Sequence, residues 1–203
     1  MLHCLRLSTI TAFLLVPALL CQGQVTSAPL ASDVTELDPK CPEGTYSGFG
    51  VNTWEFDIPA AKFVEKMGSF FGGEWYSGPI HATEGADNTV GSKRSGKFCG
   101  VIFNERLAAY SQSPSDSDLS LVFVLDNGPI VFPSVNMTFA SYVDDLSIKS
   151  ICSGRATYIS FTIVLCADKP ASAYDFFDKA RKASVGAVAD GLGAKLFAGS
   201  CKD

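Results

Sequence analysis

Apolar and polar positions change their period along this chain, and the changes mark its elements. Tyr46 to Asp57 (YSGFGVNTWEFD) is rich in aromatic and β-branched residues and predicts a strand. Pro59 suits the first turn of a helix. Ala60, Phe63, Val64 and Met67 follow helical spacing, so Pro59 to Phe71 predicts a short helix that ends at Gly72-Gly73. Short strands split by turn residues follow: Pro79 to Glu84, Gly91 to Phe98, Val101 to Tyr110 and Leu119 to Asp126. Val135 to Val143 and Leu146 to Cys152 come next, separated by a turn at Asp144-Asp145, and Thr157 to Cys166 is the most apolar strand of all. Ala171 to Ala198 then returns to helical spacing through Phe177, Val185, Val188, Leu192 and Leu196. Asp168 or Ser172 is its candidate cap. Gly186, Gly191 and Gly193 weaken this helix and point to a close approach or a bend. Strand, helix, six or seven strands and a long helix make an α+β chain. Short turns make its sheet antiparallel, with one face to cover.

The N-terminus reads differently. Met1 to Arg6 carries one basic residue, Thr11 to Leu20 (TAFLLVPALL) is apolar, and small or polar residues follow. The apolar run is too short to span a bilayer, which needs roughly 20 residues, and it fits a secretory signal peptide cleaved after Gly23 or Ala28. Residues 24–40 read as a leader without periodicity, and 41–203 as one domain. No later stretch is apolar enough for an integral membrane segment. Lys+Arg 16 against Asp+Glu 21, without a basic cluster, argues against a nucleic-acid partner. Oligomeric state is not legible.

Cys4 and Cys21 belong to the signal region, which leaves Cys41, Cys99, Cys152, Cys166 and Cys201. Cysteines of a secreted chain tend to pair. Cys41 precedes the first strand and Cys201 follows the last helix, so a staple between them is expected, with Cys99–Cys152 as the second candidate. The odd cysteine is free or pairs with another molecule. There is no C-x-x-C pair, and beyond His3 the only histidine is His81, so no zinc site is expected. No cofactor motif, phosphate loop or G-x-S-x-G elbow is present. Asn136-Met137-Thr138 is a glycosylation sequon.

The run Trp54-Glu55-Phe56-Asp57-Ile58-Pro59-Ala60-Ala61-Lys62-Phe63-Val64, followed by Phe70-Phe71 and Trp75, resembles the strand-to-helix entry of the START-like, birch-pollen-allergen-like superfamily, which includes polyketide cyclases and dehydratases. Gly91-Ser92-Lys93-Arg94 and Asn104-Glu105-Arg106-Leu107-Ala108-Ala109-Tyr110 are similar to two of its strands. The resemblance runs from about Val51 to Phe197. It implies the helix-grip fold, a curved antiparallel sheet wrapped around the long C-terminal helix, with a cavity that holds lipids, sterols, hormones or polyketides. The cysteines, the signal segment and the stretch from Asp144 to Gly154 depart from common members.

Alternation assigns the strand faces. If glycosylated Asn136 points out, Val135, Met137 and Phe139 point in. Ile159, Phe161, Ile163 and Leu165 form the inner face of the last strand. Val101, Phe103, Glu105, Leu107 and Ala109 form an inner set, and Asn104, Arg106 and Tyr110 an outer one. The expected ligand-binding set is Trp54, Trp75, Phe103, Met137, Phe139, Phe161, Ile163, Phe177, Val188 and Leu192. Several of these large side chains can equally fill the cavity. Glu105, an acid among apolar residues, is a candidate general acid or base, with His81 as a proton shuttle at the cavity mouth. The structural alternatives are a Glu105 partnered by Arg94 or Lys97, and a surface His81. Tyr76 and Tyr174 can close the cavity or simply pack.

Three functions follow from these parts. The first is a secreted carrier of a small apolar molecule in a cavity of several hundred cubic ångströms. The second is a metal-free cyclase, dehydratase or isomerase using the same cavity. The third is a secreted, effector-like interaction protein whose interior is filled by side chains.

Overall fold

The computed structural model describes residues 39–115 and 117–201. The expected signal peptide and nearly all of the leader, with Cys4, Cys21 and His3, lie outside the described residues. The chain runs β1 (Tyr46–Phe56), α1 (Ala60–Met67), α2 (Glu74–Ser77), β2 (Ile80–Glu84), β3 (Lys93–Phe98), β4 (Val101–Gln112), β5 (Asp118–Leu125), β6 (Ile130–Phe132), β7 (Met137–Ile151), β8 (Ala156–Ala167) and α3 (Pro170–Leu192). The strands form one antiparallel sheet in the order β1-β8-β7-β5-β4-β3-β2, with β6 paired to β7. The helices cover one face. This is the helix-grip α+β arrangement that the element order and the motifs imply.

The core has two parts. One joins Phe63, Val64 and Met67 of α1 to Phe123, Leu146, Ile148 and Phe161 of the sheet and to Val185 and Ala189 of α3. The other gathers Ile130, Phe132, Met137, Phe139, Tyr142, Ile163, Leu165 and Phe177. Together they set α3 against the sheet along its length.

The structure departs from the sequence expectations at several points, each with a local cause. α1 ends at Met67 rather than at Phe71, capped by Gly68, whose N–H donates to Val64 O at 2.8 Å. Side chains of the β2–β3 loop take over the next donors: Phe70 N–H donates to Asn88 Oδ1 and Phe71 N–H to Asp87 Oδ1, both at 2.8 Å. Asp144-Asp145 is not a turn, because β7 runs straight through it and carries Asp144 to the inner face, where Arg181 meets it. Val135 and Asn136 precede that strand. They belong to a 3-10 turn (Pro133–Val135) capped by Asn136 at φ 49°, and both are exposed, so Val135 does not point inward. A bulge between Leu107 and Ala109 reverses the phase of β4. Tyr110 therefore packs on the core, and Ala109 joins Val122 and Val143 on the far face.

Neither Asp168 nor Ser172 caps α3; its N-cap is Lys169, with no side-chain cap, and Asp168 instead accepts from Thr138 N–H at 2.9 Å. Nothing lies near where side chains at Gly186 and Gly191 would project, so no close approach explains them, and Gly193 is the left-handed C-cap at φ 68°.

The disulfides also differ from expectation. Cys41 bonds Cys166 and Cys152 bonds Cys201. Cys99 is disulfide-bonded too, but not to Cys152 as expected, because Cys152 is taken by Cys201. The expected Cys41–Cys201 staple fails because the segment leading into β1 lies against the end of β8, where Pro39 O is 3.5 Å from Cys166 Sγ. Cys152 closes the β7–β8 hairpin, at the end reached by the C-terminal tail.

Candidate binding cavity

Two buried ion pairs stand among the core side chains. Arg94 on β3 sits directly opposite Glu105 on β4. Its Nε donates to Glu105 Oε2 at 2.7 Å, and both side chains are about 3% exposed. Arg94 Nη1 donates to Phe70 O at 2.6 Å, and the guanidinium lies over the Phe70 and Phe123 rings at 4.5 and 4.7 Å. Gly73 makes room for it, since a Cβ there would lie 2.3 Å from Arg94 Nη1. The other Glu105 oxygen accepts from the Tyr142 hydroxyl at 2.7 Å. Glu105 thus has the Arg94 partner that the sequence left open.

The second pair joins Asp144 of β7 to Arg181 of α3. Arg181 also donates to Phe161 O at 3.1 Å and Thr162 O at 3.0 Å, and it lies over the Phe161 ring at 4.1 Å. Its Nε is buried without a partner among the described residues. The Tyr76 hydroxyl lies 3.5 Å from the other Asp144 oxygen. Burial pushes the Asp144 carboxyl up to about 7, against the pull of Arg181. Burial likewise holds the Tyr76 and Tyr142 hydroxyls well above the usual phenol range, with Asp144 and Glu105 adding to it. Both phenols are therefore protonated donors at neutral pH.

Among the described residues, a small cavity is lined by Tyr76, Ser77, Phe98, Phe103, Glu105, Ile130, Phe132, Tyr142 and Phe177. Its volume, counted as space open to the centre of a water molecule, is about 20 Å³. That is room for about one water, not the several hundred cubic ångströms expected of a carrier. Its floor is polar at Glu105, Tyr142, Tyr76 and Ser77. The rest is aromatic or aliphatic. Beside it Phe98, Phe132 and Phe176 meet, with ring centroids 5.1 to 6.4 Å apart.

Of the expected ligand-binding residues, Phe103 and Phe177 line this cavity. Met137, Phe139 and Ile163 pack in the core cluster behind it. Trp54, Trp75, Phe161, Val188 and Leu192 belong to the other core cluster. His81 is exposed on the edge strand β2 and is not among the cavity residues, so it is not brought to Glu105. Sequence reasoning missed Asp144 and Arg181 altogether. Reading β7 as unbroken would have found Asp144, because Tyr142, Asp144, Leu146 and Ile148 alternate inward.

Each oxygen of Glu105 accepts one hydrogen bond, from Arg94 and from Tyr142, and the side chain also lines the cavity, where its remaining lone pairs can accept from a polar group.

No family model matches the chain, and no curated protein sequence matches it. Solved structures do match. The protein XoxI from Bacillus cereus superposes with a TM-score of 0.56 at 14% identity, covering 71% of this chain and 94% of that one. An uncharacterized protein from Bacillus thuringiensis gives 0.54 at 12% identity, covering 71% and 98%. The structure of Ara h 8.0201 gives 0.52 at 8% identity, covering 72% and 98%. At these identities the likeness shows the fold alone. That fold is the helix-grip α+β arrangement described above.

Proposed function

We propose that this domain is a secreted binder of a small apolar molecule, most simply one ring bearing a hydrogen-bonding group, held between the sheet and α3. The observation that carries this reading is the cavity itself. Apolar side chains there face open space, and its polar floor offers the hydroxyls of Tyr76 and Tyr142. The volume of about 20 Å³ limits the ligand. A sterol or long lipid has no room. A single ring fits only if Phe98, Phe132 or Phe176 moves aside. The signal-like pattern of the first residues and two disulfides between described residues support secretion. Among the described residues, no helix is long and apolar enough to cross a membrane.

The smallness of the cavity also favours a second reading, an interaction protein whose fold is used as a filled scaffold. Native mass spectrometry of the secreted protein, followed by denaturing extraction, separates the two. A co-purifying small molecule, or saturable binding of an apolar fluorescent probe, supports the binder. Neither signal, from protein that is folded and oxidised, transfers the weight to the interaction protein. Turnover that is lost in Glu105→Gln while binding persists would point to an enzyme instead.

A further inference from the structure

β1 is an edge strand. It pairs β8 residue for residue from Tyr46↔Ala167 to Phe56↔Thr157, with no bulge. Among the described residues, only the end of its other side is covered. Asp57 N–H donates to Lys195 O at 3.0 Å and Phe197 N–H to Glu55 O at 2.9 Å, around a bridge between Phe56 and Leu196. These bonds reveal which backbone groups point outward. They belong to Glu55 and Asp57, so the unbroken two-residue alternation assigns the rest to Ser47, Phe49, Val51 and Thr53.

Edge strands are normally blunted by lysine, proline, inward charges or bulges. Tyr46 to Trp54 (YSGFGVNTW) has none of these. It exposes Tyr46, Phe49 and Val51, the first two at 64% and 66%. We propose that this edge pairs with the same edge of a second copy, antiparallel about Gly50, so that two sheets become one.

Three features of the strand fit that partner. The first is register. Symmetry about Gly50 sets Phe49 opposite Val51 and Ser47 opposite Thr53. Every residue in those pairs has outward backbone groups, so each pair exchanges both hydrogen bonds. A shift by one residue in the pairing would set outward groups against inward ones. A shift by two runs Ser47 onto Glu55, whose edge group is taken, or sets Phe49 against itself and leaves Val51 opposite serine.

The second feature is the centre. A Cβ at Gly50 would lie 2.9 Å from Tyr174 Cδ2, so glycine lets Tyr174 of α3 lie down on the strand at the axis. Tyr174 is itself 45% exposed. The third is charge. The chain carries −5, yet no charged side chain lies between Tyr46 and Trp54, so two acidic copies meet along a neutral stripe. The same symmetry brings Asp178, which accepts from Asn52 at 2.6 Å, across from the first turn of the other copy's α3, because Pro170 lies over Gly48. A carboxylate near a helix N-terminus is favourable.

The test is sedimentation velocity on the full chain with its disulfides formed. Wild type should rise toward twice the monomer mass with concentration. Phe49→Lys and Val51→Lys should stay monomeric. Ile102→Lys, at a residue 62% exposed on β4, should behave as wild type. A wild type that remains monomeric to its solubility limit overturns the proposal, as does a dimer unmoved by both lysines. Register is read by oxidising cysteine variants. A mixture of Phe49→Cys and Val51→Cys should cross-link, and Phe49→Cys alone should not. The reverse result overturns the pairing about Gly50.

Discussion

Asp144, in the middle of β7, and Arg181, in the middle of α3, form an ion pair in which both side chains are about 1% exposed. The pair ties the helix to the sheet at the point where the two core clusters meet, with the Arg181 guanidinium over Phe161 of one and 5.5 Å from the Phe177 ring of the other. Removing one member of such a pair leaves a charge buried alone, which costs about 3–5 kcal/mol. Arg181→Ala should lose that much stability in urea denaturation at pH 8. The double variant Asp144→Leu/Arg181→Met should recover most of it, because the desolvation cost disappears with both charges. A single variant within about 1 kcal/mol of wild type would show that the pair contributes little.

The same carboxyl makes stability depend on pH. Asp144 is raised from its ordinary 3.8 to about 7, with burial the largest cause. Arg181, Arg94, Glu105, Tyr76 and Tyr142 are the charged or titratable groups acting on it. A raised carboxyl means that the folded protein binds more protons than the unfolded chain between about pH 4 and 7. Stability should therefore fall as pH rises through that window, by at most about 1.4 kcal/mol per pH unit from this group. Denaturation midpoints at pH 4.5, 5.5 and 6.5 read the slope, and Asp144→Asn should flatten it. An unchanged slope in that variant would assign the dependence to other groups.

Glu105 holds two donors, Arg94 and Tyr142, on its two oxygens. Glu105→Gln keeps the shape and one acceptor but leaves the buried Arg94 charge uncompensated, so a loss of about 3–5 kcal/mol is expected, as for the Asp144–Arg181 pair. Tyr142→Phe removes one hydrogen bond and should cost about 1 kcal/mol. Thermal unfolding of both variants checks the order. If Glu105→Gln is the more stable of the two, Arg94 is not held chiefly by Glu105.

Much of this architecture is legible in the sequence because strand and helix periods differ. The alternation through Val101, Phe103, Glu105 and Leu107 placed Glu105 inside, and the helical spacing of Phe177 and Val185 placed α3 on the core. The motif from Trp54 to Val64 found the join of β1 to α1. What failed was anything set by a distant partner. Asp144-Asp145 reads locally as a turn, and only Arg181, far along the chain, makes a buried carboxylate tolerable in a strand. The bulge at Leu107–Ala109 leaves no mark in composition, yet it reverses the face of Tyr110. Cysteine pairing depends on which strand ends adjoin, and chain order alone does not give that. Cavity size was the least legible property, since it depends on how Phe98, Phe103 and Phe132 fill the space they surround.

The two disulfides between described residues should contribute unequally. Cys41–Cys166 spans 125 residues and Cys152–Cys201 spans 49. Closing a longer loop removes more freedom from the unfolded chain, though only by a logarithmic margin of under about 1 kcal/mol. Peptide mapping without reduction should recover both pairings. Cys41→Ala/Cys166→Ala should lower the denaturation midpoint slightly more than Cys152→Ala/Cys201→Ala, with each pair worth about 3–5 kcal/mol. Recovery of a Cys41–Cys201 peptide would contradict the structure directly.

Phe98 decides whether the cavity can grow. It is half-buried, lines the cavity, and meets Phe132 and Phe176 edge-on at 6.4 and 5.5 Å. Truncating a large apolar side chain leaves space that neighbours only partly reclaim, and an apolar space of that kind stays dry and takes up benzene-sized molecules. Phe98→Ala should therefore lose about 1–3 kcal/mol of stability, less than a fully buried phenylalanine would. It should also gain a ligand-dependent rise in Tm with benzene or phenol. Phenol should outperform benzene, because its hydroxyl can reach the floor formed by Tyr142 and Glu105. The measurement is a thermal shift series against both molecules, with Ile102→Ala as the exposed control. A rise for phenol that Tyr142→Phe removes from the Phe98→Ala background would locate the ligand's polar end. Equal response to both molecules would place it among the rings alone. No response would mean that Phe132 and Phe176 collapse into the gap, and the case for an interior ligand would fall with it.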